Sequence, residues 1–499
     1  MPALVVPAIP DAHDLKYLLP FLVLSGGFVV LMVLDLMVPP RHRSALAVVT
    51  VAVLAATFGA VLYGWFDAGE KGATGFYDTW AYDRFAFFID GIVVLTALLA
   101  TMISPGYLNR RGLHHGEYYA LLLGATAGMM VLAHGLNLIV IFLGIELLSI
   151  ALYVLSGFAH TEERSQEAGL KYLLLGGFAS GFLLFGMALV YGETGHTGLP
   201  QISASITAGL NAGQPQDPLL YMGIVLIFVG LAFKISAAPF HLWTPDVYQG
   251  APTSVTAFMS VATKVAAFAA LIRIFSVSFV GRYDKWSGFV IFVAIISMVV
   301  GNVFALTQTS VKRMLAYSGV AQAGYILIGV AVQSPSATVA ALYYLAAYAA
   351  MNLGAFACIA MMAGRGEDVD SYDSLRGLFY RRPYVAGALA FFLFSLGGFP
   401  PTVGFVAKFL VFSAAIQQGY LSLAFWGIAT SAVSAFYYLR VGLLLFQRPR
   451  EGEVAYEWSR TTVVGGAVLL TTTAATLGLG IFISFLYDAA SMAQAGIRG

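Results

Sequence analysis

The sequence predicts an all-α polytopic membrane protein, a single transmembrane bundle of about fourteen helices that spans residues 1–499. The first observation behind this prediction is the composition, in which 59% of the residues are hydrophobic and 10% are charged, with a mean hydropathy of +0.83. A soluble domain carries roughly a quarter charged residues. The second observation is that long apolar runs follow one another along the chain with short connections. We therefore expect lipid to cover most of the surface.

Each apolar run reaches the length of about 20 residues that a spanning helix needs. The seventh run carries Pro239 and Pro245 at its end, and the twelfth, which is too long for one span, carries Pro400 and Pro401. Because proline removes a backbone donor, both runs are predicted to be broken helices. The predicted segments are residues 17–38, 44–66, 84–104, 117–133, 135–159, 167–191, 218–240, 252–278, 288–308, 312–332, 337–363, 383–418, 420–447 and 461–487.

The two breaks lie five segments apart, and each lies near one lysine, Lys234 or Lys408. Broken backbone at membrane depth is tolerated only where it is buried in protein or lines a hydrated cavity. Transporters place such breaks at corresponding positions of two repeats. The spacing therefore suggests two inverted five-helix repeats, segments 4–8 (residues 117–278) and segments 9–13 (residues 288–447), each forming one half-channel.

The basic residues predict the orientation of the bundle. Lys and Arg concentrate in alternate connections, for example at Arg110, Arg111, Lys312 and Arg313. By the positive-inside rule, these connections face the cytoplasm and both termini face outward. The N-terminus has no basic region followed by a small-residue cleavage site, so we expect no removable signal peptide.

Several function classes are excluded by composition. The net charge of +1 provides neither a basic patch for nucleic acid nor an acidic tail. The only cysteine, Cys358, excludes a disulfide framework and a cysteine-based zinc or iron–sulfur site. The sequence also has no glycine-rich nucleotide loop after a strand and no paired haem histidines. We expect no cofactor and no metal in this chain.

Four charged residues lie deep inside predicted helices: Glu146 in the fifth, Lys234 in the seventh, Lys264 in the eighth and Lys408 in the twelfth. A charge at mid-bilayer costs about 2.5–3.5 kcal/mol on insertion scales. Structural ion pairing and snorkelling to an interface are the alternatives to function. Lys264 is too far from either interface to snorkel, and one deep acid cannot neutralise three deep lysines. Such lysines can exchange protons near neutral pH, so we expect a proton relay.

Further polar residues lie near these positions in the predicted helices. We favour His241, beside the break after Lys234, as a relay member. For the others, an interhelical hydrogen bond and a relay role remain open alternatives. These residues are His134, Asn302, Gln308, Gln322, Tyr325, Tyr343, Tyr344 and Asn352.

Several long motifs around these residues resemble one known family. KISAAPFHLWTPDVYQGAPTSVTAFMSVATK, SVKRMLAYSGVAQAGYILIG, GGFPPTVGFVAKF, SAFYYLRV and EAGLKYLLLGGFASGFLLFG are similar to the antiporter-like membrane subunits of respiratory complex I. The resemblance covers roughly residues 85–445 and is closest to the N type of the bacterial proton-translocating NADH–quinone oxidoreductase. Lysine at position 408 argues against the M type, which has glutamate there, and an end at residue 499, soon after the fourteenth segment, argues against the L type, which adds a long lateral helix.

The resemblance implies a role for each deep charge. Glu146 would modulate Lys234, Lys264 would be the central relay lysine, and Lys408 would be the last residue of the second half-channel. Gln322 departs from the family pattern, in which histidine is common at this position. That departure weakens a relay role for residue 322, although glutamine can still hold water.

The resemblance also implies partners and a location. The chain would translocate protons in a bacterial inner membrane, driven by quinone reduction in other subunits, with the other antiporter-like subunits and the lipid bilayer as neighbours and no nucleic acid. Two alternatives stay open at this point. One is a subunit of a multisubunit cation/proton antiporter, and the other is a membrane anchor without a conduction role.

Overall fold

The computed structural model describes residues 12–39, 42–212, 218–364, 370–448 and 462–497. In this part of the chain the regular structure is α-helical apart from a 3₁₀ turn and one two-stranded sheet. The predicted all-α membrane class is confirmed. The small sheet lies in a connection for which the sequence predicted no regular structure.

The first group of helices and strands lies at the N-terminal end of the chain and finishes with a long, largely buried helix. Its sheet is an antiparallel hairpin in which Thr74 lies opposite Ala81. The last helix of the group continues through Pro105, beyond the predicted end at residue 104, because a proline removes only one backbone donor. It stops at Gly112, whose φ of 69° forms a left-handed cap. The elements are α1 (Ala12–Tyr17), α2 (Leu19–Met37), α3 (Ser44–Asp67), β1 (Ala73–Gly75), β2 (Trp80–Tyr82) and α4 (Arg84–Arg111).

The next group corresponds to predicted segments 4–8. One amphipathic helix in it, α8, was not predicted, and it buries Leu199, Ile202 and Ile206. The predicted seventh segment is broken, as expected, between α9 and α10. The elements are α5 (Glu117–His134), α6 (Leu138–Ser156), α7 (Glu163–Thr194), α8 (Leu199–Asn211), α9 (Pro218–Lys234), α10 (Thr244–Gly250) and α11 (Thr253–Val277).

The third group corresponds to predicted segments 9–13, and its twelfth segment is broken between α17 and α18. A 3₁₀ turn, Val280–Arg282, precedes the first helix of this group. The elements are α12 (Tyr283–Leu306), α13 (Val311–Ala331), α14 (Pro335–Met362), α15 (Tyr372–Leu375), α16 (Leu378–Arg381), α17 (Pro383–Gly397), α18 (Val403–Gln417) and α19 (Leu421–Phe446).

The last predicted segment, residues 461–487, consists of two helices. They are α20 (Val463–Ile481) and α21 (Ile483–Ala495), separated at Phe482. Among the described residues, eleven helices are long and apolar enough to cross a membrane. The short helix α5 and the two broken segments complete a set that matches each of the fourteen predicted runs.

Helix α11 forms the centre of the bundle, since almost every one of its side chains is buried. Helices α4, α13 and α14 pack around it and are also largely buried. Close approach between neighbouring helices depends on small residues, as in other membrane bundles. A Cβ added at Gly144 of α6 would lie 2.9 Å from the backbone N of Leu132 in α5. These tight contacts fix the helices that carry the deep charges.

Candidate functional site

Lys234 is the last residue of α9, at the first helix break, and only 2% of its side chain is exposed. Its Nζ lies 3.4 Å from the hydroxyl of Tyr153 on α6. The ring centroids of Tyr153 and Tyr172 lie 5.2 and 5.3 Å from the same nitrogen. Aromatic faces attract a cation through their quadrupole. Aromatic groups therefore surround this amine.

Glu146 lies on α6 and is half-buried, between the exposed side chains of Leu143 and Leu147. Its Oε1 accepts a hydrogen bond of 2.5 Å from the Ser180 hydroxyl on α7. Glu146 is close enough to Lys234 to interact electrostatically, but no direct ion pair joins them. The carboxylate thus faces the side of the bundle while acting on the lysine through space.

Lys264 lies on the buried central helix α11 and is 1% exposed. Its Nζ donates a hydrogen bond of 2.9 Å to the carbonyl of Gly319 on α13. The rings of Tyr248 and Tyr348 lie 5.9 and 5.5 Å from the nitrogen. A Cβ at position 319 would lie 2.5 Å from Nζ. The missing side chain of Gly319 therefore makes room for the amine.

Lys408 lies on α18, after the second helix break, and is 5% exposed. Its Nζ donates to the carbonyl of Gly397, the last residue of α17, at 3.0 Å. It also contacts the hydroxyls of Ser431 and Ser434 on α19, at 2.9 and 3.4 Å. The ring of Tyr325 lies 5.2 Å away. Because the carbonyls at a helix C-terminus carry partial negative charge, the break provides an acceptor for the ammonium.

These contacts share one property: within the described residues, no ion pair involves Lys234, Lys264 or Lys408. Each amine is solvated by hydroxyls, backbone carbonyls or aromatic rings. Such neutral partners stabilise an ammonium less than a carboxylate does at the same distance. The predicted shortage of acids around the lysines is therefore present in the structure.

Hydrogen bonds connect the surroundings of Lys264 to those of Lys408. Gln322, one turn after Gly319 on α13, donates to the Tyr438 hydroxyl at 3.2 Å and to the carbonyl of Leu396 at 3.3 Å. Its Oε1 accepts from Tyr344 at 2.5 Å. Leu396 immediately precedes the carbonyl that binds Lys408. Gln322 thus occupies the middle of the connection between the two lysines.

A second set of polar groups lies on the Lys408 side of this connection. The Asn302 Nδ2 donates to the Tyr325 hydroxyl at 3.0 Å, and the Tyr437 hydroxyl donates to Asn302 Oδ1 at 3.0 Å. The Tyr325 hydroxyl also contacts Thr430 at 3.2 Å. Ser318 and Tyr438 are joined by a further hydrogen bond. These groups place hydroxyls on several sides of the region between Lys264 and Lys408.

Between Lys234 and Lys264 the side chains are mainly aromatic. Tyr172 stacks on Trp243 with 4.3 Å between centroids, and Trp243 meets Tyr248 at 6.0 Å. Among the described residues, the hydroxyls of Tyr172, beside Lys234, and of Thr263, next to Lys264 in the chain, are buried without a hydrogen-bond partner. Buried hydroxyls of native proteins normally have protein or water partners. This part of the path therefore has polar groups suited to bind water.

His241 lies beside the first helix break, and no described contact joins it to the three deep lysines. It lies in the break between α9 and α10 and is 6% exposed. Its ring centroid lies 6.1 Å from that of Tyr317, and its Nδ1 has no hydrogen-bond partner among the described residues. No described hydrogen bond joins His241 to Lys234. Its location beside the break is as predicted, and its role stays a prediction.

The count of a single deep acid was wrong. Asp83 and Asp90, near the start of α4, are fully buried, and so is Arg273 of α11. Arg273 binds Asp83 through two contacts, at 2.7 and 3.0 Å. The sequence shows Asp83 and Asp90 near the start of an apolar run, where an interfacial position and a buried one cannot be distinguished. The other missed residues, Ser434 and Tyr438, lie inside a motif that was recognised.

Other polar residues, whose roles the sequence left open, make hydrogen bonds within the bundle. The Asn352 amide donates to Ser260 at 2.8 Å, and the Tyr343 hydroxyl donates to the carbonyl of Leu479 at 2.8 Å. Gln308 is half-buried, and its amide donates to the carbonyl of Phe304 at 2.9 Å. In the described part of the chain, no group of three His, Cys, Asp or Glu side chains could hold a metal ion.

A family model described as "NADH:quinone oxidoreductase/Mrp antiporter, TM" matches residues 135–434. This range includes Glu146, Lys234, Lys264 and Lys408. The four deep charges singled out from the sequence therefore all lie within the part of the chain that defines the family.

Curated relatives match along nearly the whole chain. NADH-quinone oxidoreductase subunit N of Trichlorobacter lovleyi is 42% identical over 481 residues, 96% of this chain and 97% of the relative. Subunit N 1 of Solibacter usitatus is 40% identical over 497 residues, 99% of this chain and all of the relative. Subunit N 1 of Herpetosiphon aurantiacus is 46% identical over 397 residues, covering 79% and 80% of the two chains.

Solved structures show the same fold. A chain of respiratory complex I from Thermus thermophilus is 32% identical, with a TM-score of 0.79, over 96% of this chain and 100% of that chain. A chain of the Mrp complex from Dietzia sp. DQ12-45-1b has a TM-score of 0.84 over 97% of both chains, at 23% identity. The second likeness shows the fold alone.

Proposed function

Because the chain belongs to the family of NADH-quinone oxidoreductase subunit N, we propose that Lys234, Lys264 and Lys408 relay protons through it. Membership makes the chain a proton-translocating membrane subunit of a multisubunit enzyme. The relay itself is supported by one observation above all. Among the described residues, three buried amines have no carboxylate partner, and polar side chains lie between the surroundings of two of them.

Each lysine has the surroundings that proton exchange needs. An amine solvated only by neutral groups is less strongly held in its charged form than one in an ion pair. Gln322 and Tyr438 lie between the surroundings of Lys264 and those of Lys408, and their amide and hydroxyl groups can orient water. Between Lys234 and Lys264, unpartnered hydroxyls offer further positions for water. Each group of five segments would then form one half-channel.

Glu146 is the proposed input of the relay. Its carboxylate faces the side of the bundle and acts on Lys234 through space, with Ser180 holding its orientation. A change of charge on a neighbouring subunit alters the interaction between Glu146 and Lys234. That change shifts the proton affinity of Lys234, and the proton moves on to Lys264 and Lys408. His241, at the helix break, is proposed to assist Lys234 through bound water.

The remaining features of the proposal concern the assembly. Electrons stay in other subunits, because we propose that this chain holds no redox cofactor. Its neighbours are the other membrane subunits of the complex, including antiporter-like ones. The membrane is the bacterial inner membrane, with both termini and the hairpin side of the bundle facing outward. The distribution of Lys and Arg supports this orientation.

Replacing Lys264 with methionine tests the relay. Methionine keeps most of the side-chain volume and removes the exchangeable proton. We expect the complex to assemble and oxidise NADH, and the number of protons pumped per NADH to fall. The measurement is proton uptake by proteoliposomes that contain the purified complex, together with NADH oxidation. Lys285→Met is the matched control, because Lys285 is partly exposed beside Asp284.

Lys234→Met should also lower the number of protons pumped per NADH. A loss in both variants distinguishes a relay of several lysines from a mechanism that needs a single amine. Wild-type pumping ratios in both variants would refute the relay.

The cation/proton antiporter alternative is tested by identifying the proteins that co-purify with this chain in the same preparation. NADH-oxidising, flavin-containing partners support the proposal, and small antiporter subunits alone contradict it.

A further inference from the structure

A buried pair of titratable side chains lies on the hairpin side of the bundle, apart from the lysines. Asp90 of α4 is fully buried, and His134, the last residue of α5, is 1% exposed. The His134 Nε2 lies 2.9 Å from Asp90 Oδ2, and its Nδ1 lies 2.5 Å from the carbonyl oxygen of Ala81 in β2. Trp80 stacks on the imidazole at 4.6 Å, and Phe87 meets its edge at 5.3 Å.

Both ring nitrogens face oxygen acceptors, and this arrangement determines how many protons the pair holds. A neutral imidazole has one N–H donor and one acceptor nitrogen. The Nδ1 of His134 needs its hydrogen to bond the carbonyl of Ala81. The contact between Nε2 and Asp90 therefore needs a second hydrogen, which lies on the imidazole or on the carboxyl. Without it, two lone pairs would face each other in a dry environment.

The neighbouring charges also favour this additional proton. Asp83 and Arg273 form a bidentate pair, and Arg273 donates at 3.2 Å to the carbonyl of Ala133, next to His134. The cluster of Asp83, Arg273, Asp90 and His134 is electrically neutral with the proton and has one negative charge without it. Asp90 Oδ1 is buried and has no hydrogen-bond partner in the part of the chain that the structure describes. An unpaired buried charge is costly, so the protonated form is the resting one.

We propose that Asp90 and His134 form a second proton-holding site, on the hairpin side of the bundle, whose protonation is coupled to that of Lys264. This inference rests on the proposed proton translocation. Arg273 lies nine residues after Lys264 on α11, about 13 Å along the helix axis, so the cluster adjoins the central relay helix. The held proton lies between Nε2 and Oδ2. Its release leaves an Asp90 carboxylate and a neutral His134 with hydrogen on Nδ1.

The coupling between the site and the relay is electrostatic. A positive charge that reaches Lys264 lies on the same helix as Arg273, in surroundings of low dielectric constant, where charges interact over longer distances than in water. It lowers the proton affinity of the cluster and promotes release. Proton transfer away from Lys264 has the opposite effect, and the site takes up its next proton.

Asp90→Asn in the intact complex tests the proposal. The amide can donate a hydrogen bond to Nε2, so the geometry is preserved while the exchangeable proton is lost. We expect NADH oxidation to persist and the protons pumped per NADH to fall to the value measured for Lys264→Met. Infrared difference spectra of the wild type between two pH values should contain a band from this site that is missing in Asp90→Asn. A purely structural pair would produce no such band.

His134→Gln is measured in parallel and has the same expected result, so the test does not depend on one variant assembling. Thr96→Val on α4 is the control, because Thr96 is a buried polar residue whose hydroxyl bonds only the carbonyl of Ile92. A wild-type pumping ratio in either assembled variant, with reduced pumping in Lys264→Met, overturns this inference alone. Wild-type pumping in Lys264→Met overturns the proposed function instead.

Discussion

Single residues determine how the buried amines are held. Gly319 contributes a carbonyl to Lys264 and, by lacking a side chain, the space that the amine occupies. Gly397, at the end of a helix, contributes a carbonyl to Lys408. In both cases a backbone atom, and no carboxylate, is the acceptor. The sequence revealed the lysines, because charge in an apolar run is conspicuous, but a glycine that makes room for a side chain has no such signal.

Gly319→Ala follows from this geometry. The added methyl group would lie 2.5 Å from Lys264 Nζ and 3.1 Å from the Tyr348 hydroxyl, so the amine has to move. We expect normal assembly and a lower number of protons pumped per NADH, measured in proteoliposomes. The control is Gly466→Ala on α20, where a Cβ has no atom within 4 Å. Equal pumping in the two variants would show that the position of the amine is unimportant.

Partners that lie far apart in the chain explain most of what the sequence missed. Arg273 and Asp83 are 190 positions apart, and Tyr438 lies 116 positions from Gln322. Neither periodicity nor composition indicates which of many polar residues will meet. Gln322 itself was noticed as one of several polar residues near the deep charges and as a departure from a family pattern. The structure gives it a hydrogen bond at each polar atom.

At the scale of helices, the broken segments were predictable and their anchoring was not. Proline spacing located both breaks. The short helix α10 is held by charged groups that were read as loop residues. The Lys312 Nζ is fully buried and donates to the carbonyls of Gln249 and Ala251 at the C-terminal end of α10, each at 3.2 Å. A cation at this end complements the helix dipole.

Asp246 of α10 links the helix to two neighbours. It accepts from Lys171 of α7 at 2.8 Å and from Arg313 of α13 at 2.7 Å. Burial raises the pKa of its carboxyl, but the two cations outweigh burial and hold the pKa below its ordinary value. A lowered pKa in the folded state stabilises the fold above the ordinary value of about 4, and this contribution is lost as the pH falls through the lowered pKa.

Asp246→Asn should therefore lower stability by about 1 kcal/mol, since partly exposed pairs contribute roughly 0.2–1 kcal/mol each. Thermal unfolding of the purified complex measures the effect. The difference from the wild type should be the same at pH 5 and pH 8, because the carboxyl is ionised at both, and smaller at high salt. A difference that disappears between pH 8 and pH 5 would contradict the assigned pKa. Asp284→Asn, beside exposed Lys285, is the control.

The whole molecule combines a buried path with an exposed side. Hydrophobicity alone identified the membrane class and all fourteen segments, because each run has to match the thickness of the bilayer. The structure of the connections between the spanning segments was harder to predict, because α8 and the hairpin lie where no such length constraint applies. The exposed apolar residues around Glu146, such as Leu143 at 58%, leave this face available to lipid or to another subunit.

Glu146→Gln tests the proposed input from that side. The amide oxygen can still accept from Ser180, so the variant removes charge and preserves shape. We expect a lower pumping ratio than in the wild type, but a smaller loss than in Lys264→Met, because the relay lysines remain. The assay is again proton uptake with NADH oxidation. Glu167→Gln, an exposed carboxylate beside Lys171, should pump like the wild type.

The way each amine is solvated also bears on ion selectivity. The carbonyl of Gly319 and the hydroxyls around Lys408 are the oxygen atoms that a sodium ion would require, and tethered ammonium groups already occupy them. A metal cation could enter only beside a like charge or by displacing a covalently attached group. Under the proposed relay, the contacts that anchor the lysines would therefore favour the passage of protons over that of alkali metal ions.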